Sequence, residues 1–124
     1  MFDLFNCCFS LTEIDLSNFN TQHITNMAHM FFKCESLKSI NLSNFNTKNV
    51  TYMEEMFYGC KSLKNINLSN FNFQNVVNMR KMFSGCESLI KIDMPKIKNK
   101  NKINIENIFV GCKSLVHPPN IINK

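Results

Sequence analysis

No stretch of this 124-residue sequence stays apolar over the ~20 residues that a membrane-spanning helix requires. The opening, MFDLFNCCFSLTEID, lacks the basic head and small-residue cleavage site of an export signal. No Cys-x-x-Cys pair occurs: Cys7 and Cys8 are adjacent, and His23, His29 and His117 share no ligand spacing with the cysteines, so zinc is not expected. Neither a Gly-rich phosphate loop nor a nucleophile motif is present. The carboxylates form no acid–base pair either. Glu54 and Glu55 are adjacent and diverge on a helix, while Glu13 and Asp15 have no His, Lys or nucleophile beside them. The sequence therefore predicts no catalytic residue, no metal, no cofactor and no enzymatic activity.

What the sequence does hold is 44% hydrophobic residues, with 12 Phe and 8 Met, enough to fill one continuous core. The formal net charge of +5 is drawn largely from one stretch, IKNKNKI at residues 97–103, and the remainder is near balance. The six cysteines are informative through their spacing. Cys8, Cys34, Cys60, Cys86 and Cys112 recur at an unbroken interval of 26 residues. In that frame the chain is a single domain over 1–124, divided into units 5–30, 31–56, 57–82 and 83–108 and a partial unit 109–124.

Each unit carries two periodicities. Leu37, Ile40, Leu42 and Phe45 follow the L-x-x-L-x-L-x-x-N spacing of a leucine-rich repeat, which predicts a short strand. Val50, Met53, Met56, Phe57 and Cys60 share one face of a helix, with Asn49 as its cap and Thr51 and Glu54 in capping-box spacing. Gly59, Gly85 and Gly111 stand where a left-handed cap ends each helix, a column held by Cys7 and Lys33 in the earlier units. One unit cannot bury its apolar face alone, so the units stack and their strands align in parallel. Helices are wider than strands, which puts the strands on the inside of the bend, and crossovers between parallel strands are right-handed. The expected fold is α/β: a right-handed leucine-rich-repeat solenoid with a parallel sheet on the concave face and short helices on the convex face.

The core Met-x-x-Met-Phe-x-x-Cys-x-Ser-Leu recurs from Met27 to Leu37, Met53 to Leu63 and Met79 to Leu89 without insertion. Together with SNFNT it resembles the BspA-like leucine-rich repeats of bacterial and protist surface proteins. That resemblance covers nearly the whole chain. It implies a module for adhesion or host-protein binding, displayed at the cell surface or secreted. The fourth unit departs from it: Met94, Pro95 and Ile97 replace Leu-Ser-Asn-Phe, and Ile105 and Ile108 replace two Met columns, as in a terminal unit degrading into a cap. At the other end Met1 lies 26 residues before Met27 and Leu4 lies 26 before Met30, so the sequence opens inside a helical segment. Two expectations stand side by side: an internal repeat methionine with earlier repeats and a signal missing, or a half-helix serving as cap.

Among candidate sites, the cysteine ladder reads as buried apolar filler, although stacked columns would approach disulfide geometry. Cys7 lies outside that ladder, either as an exposed thiol or as a tolerated substitution for glycine. The methionines other than Met94 occupy inward helix columns and read as core. The outward strand columns change chemistry from unit to unit. One runs Glu13, Ser39, Asn65, Lys91 and His117; the next Asp15, Asn41, Asn67 and Asp93; a flanking one includes Lys38 and Lys64. These residues are the expected binding face, for a protein or a glycan. The basic stretch has no interleaved aromatics, so no specific nucleic acid is expected and a solvated loop is the simpler reading. Asn41, Asn49 and Asn67 fall in N-x-[ST] sequons that the repeat itself generates. An uncapped first unit also leaves room for end-to-end self-association.

Overall fold

The computed structural model describes residues 1–98 and 103–121. Successive 26-residue coils lie directly on one another, because each repeat buries its apolar columns only against the next. β1 (Asn65–Asn67) pairs in parallel with β2 (Lys91–Asp93), with Asn65 opposite Lys91, Ile66 opposite Ile92 and Asn67 opposite Asp93. A second line of isolated parallel bridges joins Asn26, Tyr52, Asn78 and Asn104, again one residue per coil.

The expected α/β fold class is corrected by this structure. Among the described residues there is no α-helix, and the parallel sheet has only two strands, β1 and β2, rather than one strand from each unit. The segment with helical spacing forms consecutive turns. Its hydrogen bonds explain why. The N–H groups of Met53, Glu55, Phe57 and Gly59 donate across to the carbonyls of Asn78, Arg80, Met82 and Ser84 in the next coil, at 2.8–2.9 Å. Alternating with them, Met56, Tyr58 and Cys60 donate to the carbonyls of Met53, Glu55 and Phe57, three residues back. Half the donors of a helix are thus spent between coils, and no i to i−4 ladder remains to be made. Left-handed residues punctuate the turns at His29 and Lys33, Glu55 and Gly59, Lys81 and Gly85, and Asn107 and Gly111, four residues apart in each coil.

The columns that were to face inward do so, although the backbone carrying them is not helical. Met53, Met56, Phe57, Cys60 and Val50 have no exposed surface. The phenylalanine column forms one continuous ring stack: Phe5, Phe31, Phe57, Phe83 and Phe109 follow at centroid spacings of 5.4, 5.5, 5.7 and 5.9 Å.

Glycine matters most where the turns tighten. Gly85 has φ +76° and lies against the Gly59 backbone, while Lys33 holds the same column at φ +54°. A Cβ at Gly85 would meet Gly59 at an ordinary 3.5 Å, so Gly85→Ala carries backbone strain without a clash. The expected loss is about 1–2 kcal/mol in urea unfolding. An unchanged urea midpoint would contradict the left-handed assignment.

Candidate functional site

The strand segments alternate: Ile66, Leu68 and Ile92 are buried while Asn65, Asn67 and Lys91 are exposed. This period of two lifts the outward strand columns out of the core. Glu13, Asp15, Lys38, Ser39, Asn41, Lys64 and His117 are exposed as well, and Asp93 is half-buried. Pairing of β1 with β2 brings Asn65 beside Lys91 and Asn67 beside Asp93, and the Lys91 ammonium reaches the Asp93 carboxylate at 3.6 Å. Asn41 and Asn67 meet in an open groove of about 220 Å³, floored by Ile40 and Leu42 and edged by Ser43, Ser69 and Asn70.

Part of this face has a local structural duty. The side-chain oxygens of Asp15, Asn41 and Asn67 accept the N–H of Ser17, Ser43 and Ser69 at 2.9–3.0 Å, the geometry of Asx turns. Hydrogen bonds from the Ser17 hydroxyl and N–H hold the Asp15 carboxyl below the usual carboxylate range. The signal was present in the sequence as Asp-x-Ser and Asn-x-Ser at the strand's end. Lys38, Ser39, Lys64, Asn65 and His117 carry no such duty among the described side-chain bonds and are the freer half of the face.

Two further ladders had no counterpart in the sequence reading. The Asn70 amide lies 3.0–3.3 Å from the carbonyls of Leu42, Ser43 and Phe45 one coil back, and Asn44 does the same with Leu16, Ser17 and Phe19. On the turn side, His29 lies between Asp3 and Glu55, at 3.3 and 3.5 Å, and Arg80 joins Glu55 to Glu106, at 3.4 and 3.5 Å. Such half-exposed pairs are each worth little in water. Their recurring columns, Asn44 with Asn70 above all, were the available signal.

The cysteines are free thiols. Cys34, Cys60, Cys86 and Cys112 donate to the carbonyls of Phe5, Phe31, Phe57 and Phe83 in the preceding coil, at 3.0–3.2 Å. Each is a small filler with a polar tether. Burial pushes the Cys34 thiol up to about 11 and raises Cys60, Cys86 and Cys112 as well. The folded state thus retains protons that the unfolded chain gives up first. Stability is full below the ordinary thiol pKa of about 8.5 and falls as pH climbs toward the folded value near 11 of Cys34. Urea midpoints measured from neutral to strongly alkaline pH are expected to decline above about pH 8.5, and replacing Cys60 and Cys86 with alanine should flatten that decline. A wild-type curve that is flat across this range would contradict the buried thiols. Cys7 is exposed at φ +59°, so it holds the glycine column's conformation without glycine. It should react with alkylating reagents well before Cys60 and Cys86.

The sequence profile of a family described as "Mycoplasma protein of unknown function, DUF285" matches residues 1–121. This chain belongs to the DUF285 family. Its coil-on-coil ladder makes this DUF285 chain a repeat protein. Among solved structures it is similar to the crystal structure of a T. pallidum leucine-rich repeat protein, with 18% identity and a TM-score of 0.41, covering 92% of this chain and 69% of that one. No curated protein matches it.

Proposed function

We propose that this DUF285 chain is a non-catalytic recognition module that takes a protein or glycan partner on its strand face. The observation that carries the reading is the contrast between columns. Elsewhere, the asparagine, threonine and cysteine columns are spent on bonds to neighbouring coils, whereas the columns of Lys38 and Lys64 and of Ser39, Asn65, Lys91 and His117 are exposed and change chemistry from coil to coil. A shallow polar groove with an apolar floor, at Asn41 and Asn67, adds a seat of the kind that sugars or side chains occupy. The BspA-like character of the repeats supports display at the cell surface or secretion as part of the same proposal.

The test is a triple variant, Lys38→Glu, Lys64→Glu and Lys91→Glu, compared with wild type on immobilised glycan and purified-protein panels. The reading expects saturable wild-type binding, at least a tenfold loss in the variant (about 1.4 kcal/mol), and superimposable melting curves. Binding by neither protein, or equal binding by both, would remove it.

A second reading is a spacer whose repeats have no ligand of their own. It is favoured by the Asx turns that employ Asp15, Asn41 and Asn67 locally. It predicts that the triple variant changes nothing. Nucleic-acid contact through Lys96 to Lys102 concerns a stretch that lies mostly outside the described residues; it would show as binding that collapses with salt.

A further inference from the structure

One side of the stack, beyond the strand ends, is sealed by side chains in the earlier coils and not at the step from residues 71–74 to residues 95–98. Thr21 exchanges two hydrogen bonds with the Asn46 backbone, at 2.7 and 3.2 Å, and Thr47 does the same with Asn72, at 2.8 and 3.1 Å. Asn44 and Asn70 send their amides to carbonyls one coil back, and the Phe71 ring stacks on Phe45 at 6.5 Å. At the next step every one of these columns changes identity. Phe73 stands in the threonine column, Lys96 in that of Asn44 and Asn70, Ile97 in that of Phe45 and Phe71, and Pro95 in that of Ser43 and Ser69. Phe73 offers no oxygen to the Lys98 N–H, Pro95 has no N–H to give, and Ile97 is smaller than the ring it replaces. Among the described residues no hydrogen bond joins 71–74 to 95–98.

An open-sided cavity of about 390 Å³ occupies this step. That volume falls in the range of small-molecule pockets, about 300–1,000 Å³. One coil supplies Phe71 and Phe73, tilted at 49° with centroids 6.0 Å apart, and the next supplies Pro95 and Ile97. Ile97 is held in place: its side chain is buried and its N–H donates to the Ile121 carbonyl. Lys96 and Lys98 line the same cavity and are both exposed, and no carboxylate lines it. Among the described residues neither lysine is in an ion pair, unlike Lys61, Lys91 and Lys113.

We infer that this gap is a binding site for a small aromatic carboxylate, with its ring between the Phe71 and Phe73 pair and Ile97 and its carboxylate at Lys96 and Lys98. The ring takes the space that the repeat's own phenylalanine would fill if the stack of Phe45 and Phe71 continued by one more step. Its stabilisation comes from apolar area removed from water against two aromatic side chains. The two ammonium groups, with no acid between them, select a negative charge. That charge stays at the open side, where water still reaches it, so binding does not bury an ion. The site lies beyond the strand ends and does not depend on the strand face binding anything.

The test is titration of the isotope-labelled chain with naphthoate and with its uncharged isostere naphthamide, followed by amide and methyl chemical shifts. Saturable shifts are expected at Phe71, Phe73, Ile97 and Lys98, with Asn41 and Asn67 on the strand face unmoved. Naphthoate should bind about fivefold or more tighter than naphthamide, by a margin that shrinks as salt rises. Lys96→Gln combined with Lys98→Gln should bring naphthoate down to the level of naphthamide and leave the melting midpoint in place, since both lysines are exposed. Ile97→Phe returns the missing ring to its column and should abolish binding of both probes; the lysine variant keeps the test decisive should this one fail to fold. Absence of saturable binding, equal affinity for the two probes, shifts on the strand face instead, a lysine variant that keeps full preference for naphthoate, or a folded Ile97→Phe that still binds would each overturn the inference.

Discussion

Phe57→Ala is expected to cost about 3–5 kcal/mol of unfolding free energy. The ring has no exposed surface and lies between Phe31 and Phe83, nearly parallel to both, at interplanar angles of 5° and 3°. Removing it takes away buried apolar area and the stacking on two neighbours, and leaves a cavity in the middle of the stack that rigid turns on either side cannot collapse. In a repeat array each coil is held only by its neighbours, so a fault at the centre uncouples the halves. The melting midpoint should fall by on the order of 10–20 °C. Phe109→Ala, at the end of the same column and partly exposed, should cost clearly less. Equal costs at the two positions, or a melting point that Phe57→Ala leaves unmoved, would contradict the continuous ring stack.

Asn70→Asp is expected to be the second most damaging change, although it alters neither size nor shape. The Asn70 amide nitrogen is within 3.0–3.3 Å of three carbonyl oxygens on the preceding coil, those of Leu42, Ser43 and Phe45. An ionised carboxylate is an acceptor only, so it would set negative charge against three acceptors, two of them in partly buried contacts, and satisfy none. The cost should be about 3 kcal/mol or more at neutral pH, from the loss of the donor together with repulsion. Asn70→Ala loses the bonds without the repulsion and should cost about 1–3 kcal/mol. The order of the two variants in urea unfolding is the discriminating result. If alanine is as harmful as aspartate, the asparagine acts by filling space and not by donating.

Much of the packing was legible in the sequence because burial acts through column chemistry. The 26-residue interval, the inward Met, Phe, Cys and Leu columns and the outward alternation of Asn65, Ile66 and Asn67 all appear in the structure as spacing and polarity implied. The absence of a helix was not legible, for a physical reason. Apolar residues three, four and seven apart satisfy a helix, but they equally satisfy turns whose alternate N–H groups bond to a neighbouring coil. Nothing local separates the two, since Glu55 and Lys81 are good helix formers held at φ +54° by tertiary hydrogen bonds. The glycine column at Gly59, Gly85 and Gly111 announced one left-handed position per coil. The other, four residues earlier at His29, Glu55, Lys81 and Asn107, carries no glycine and left no mark.

The exposure of the strand face was legible, but the duty of its side chains was not. Alternation alone placed Asp15, Asn41 and Asn67 outward, yet their side chains close local Asx turns onto Ser17, Ser43 and Ser69. Sequence columns show which residues vary or recur, not which of two polar roles a recurring asparagine fills. Asn41 and Asn70 recur alike, but one closes a local turn and the other reaches across to the neighbouring coil.

The coil-on-coil hydrogen-bond ladder on which the core and the strand face depend can be observed directly by solution NMR of the isotope-labelled chain. Through-hydrogen-bond couplings are predicted from the amide of Phe57 to the carbonyl of Met82 and from Glu55 to Arg80, with positive φ at Glu55 and Gly59. A run of helical φ values from Met53 to Cys60, with couplings four residues back and none to the next coil, would contradict the helix-free stack.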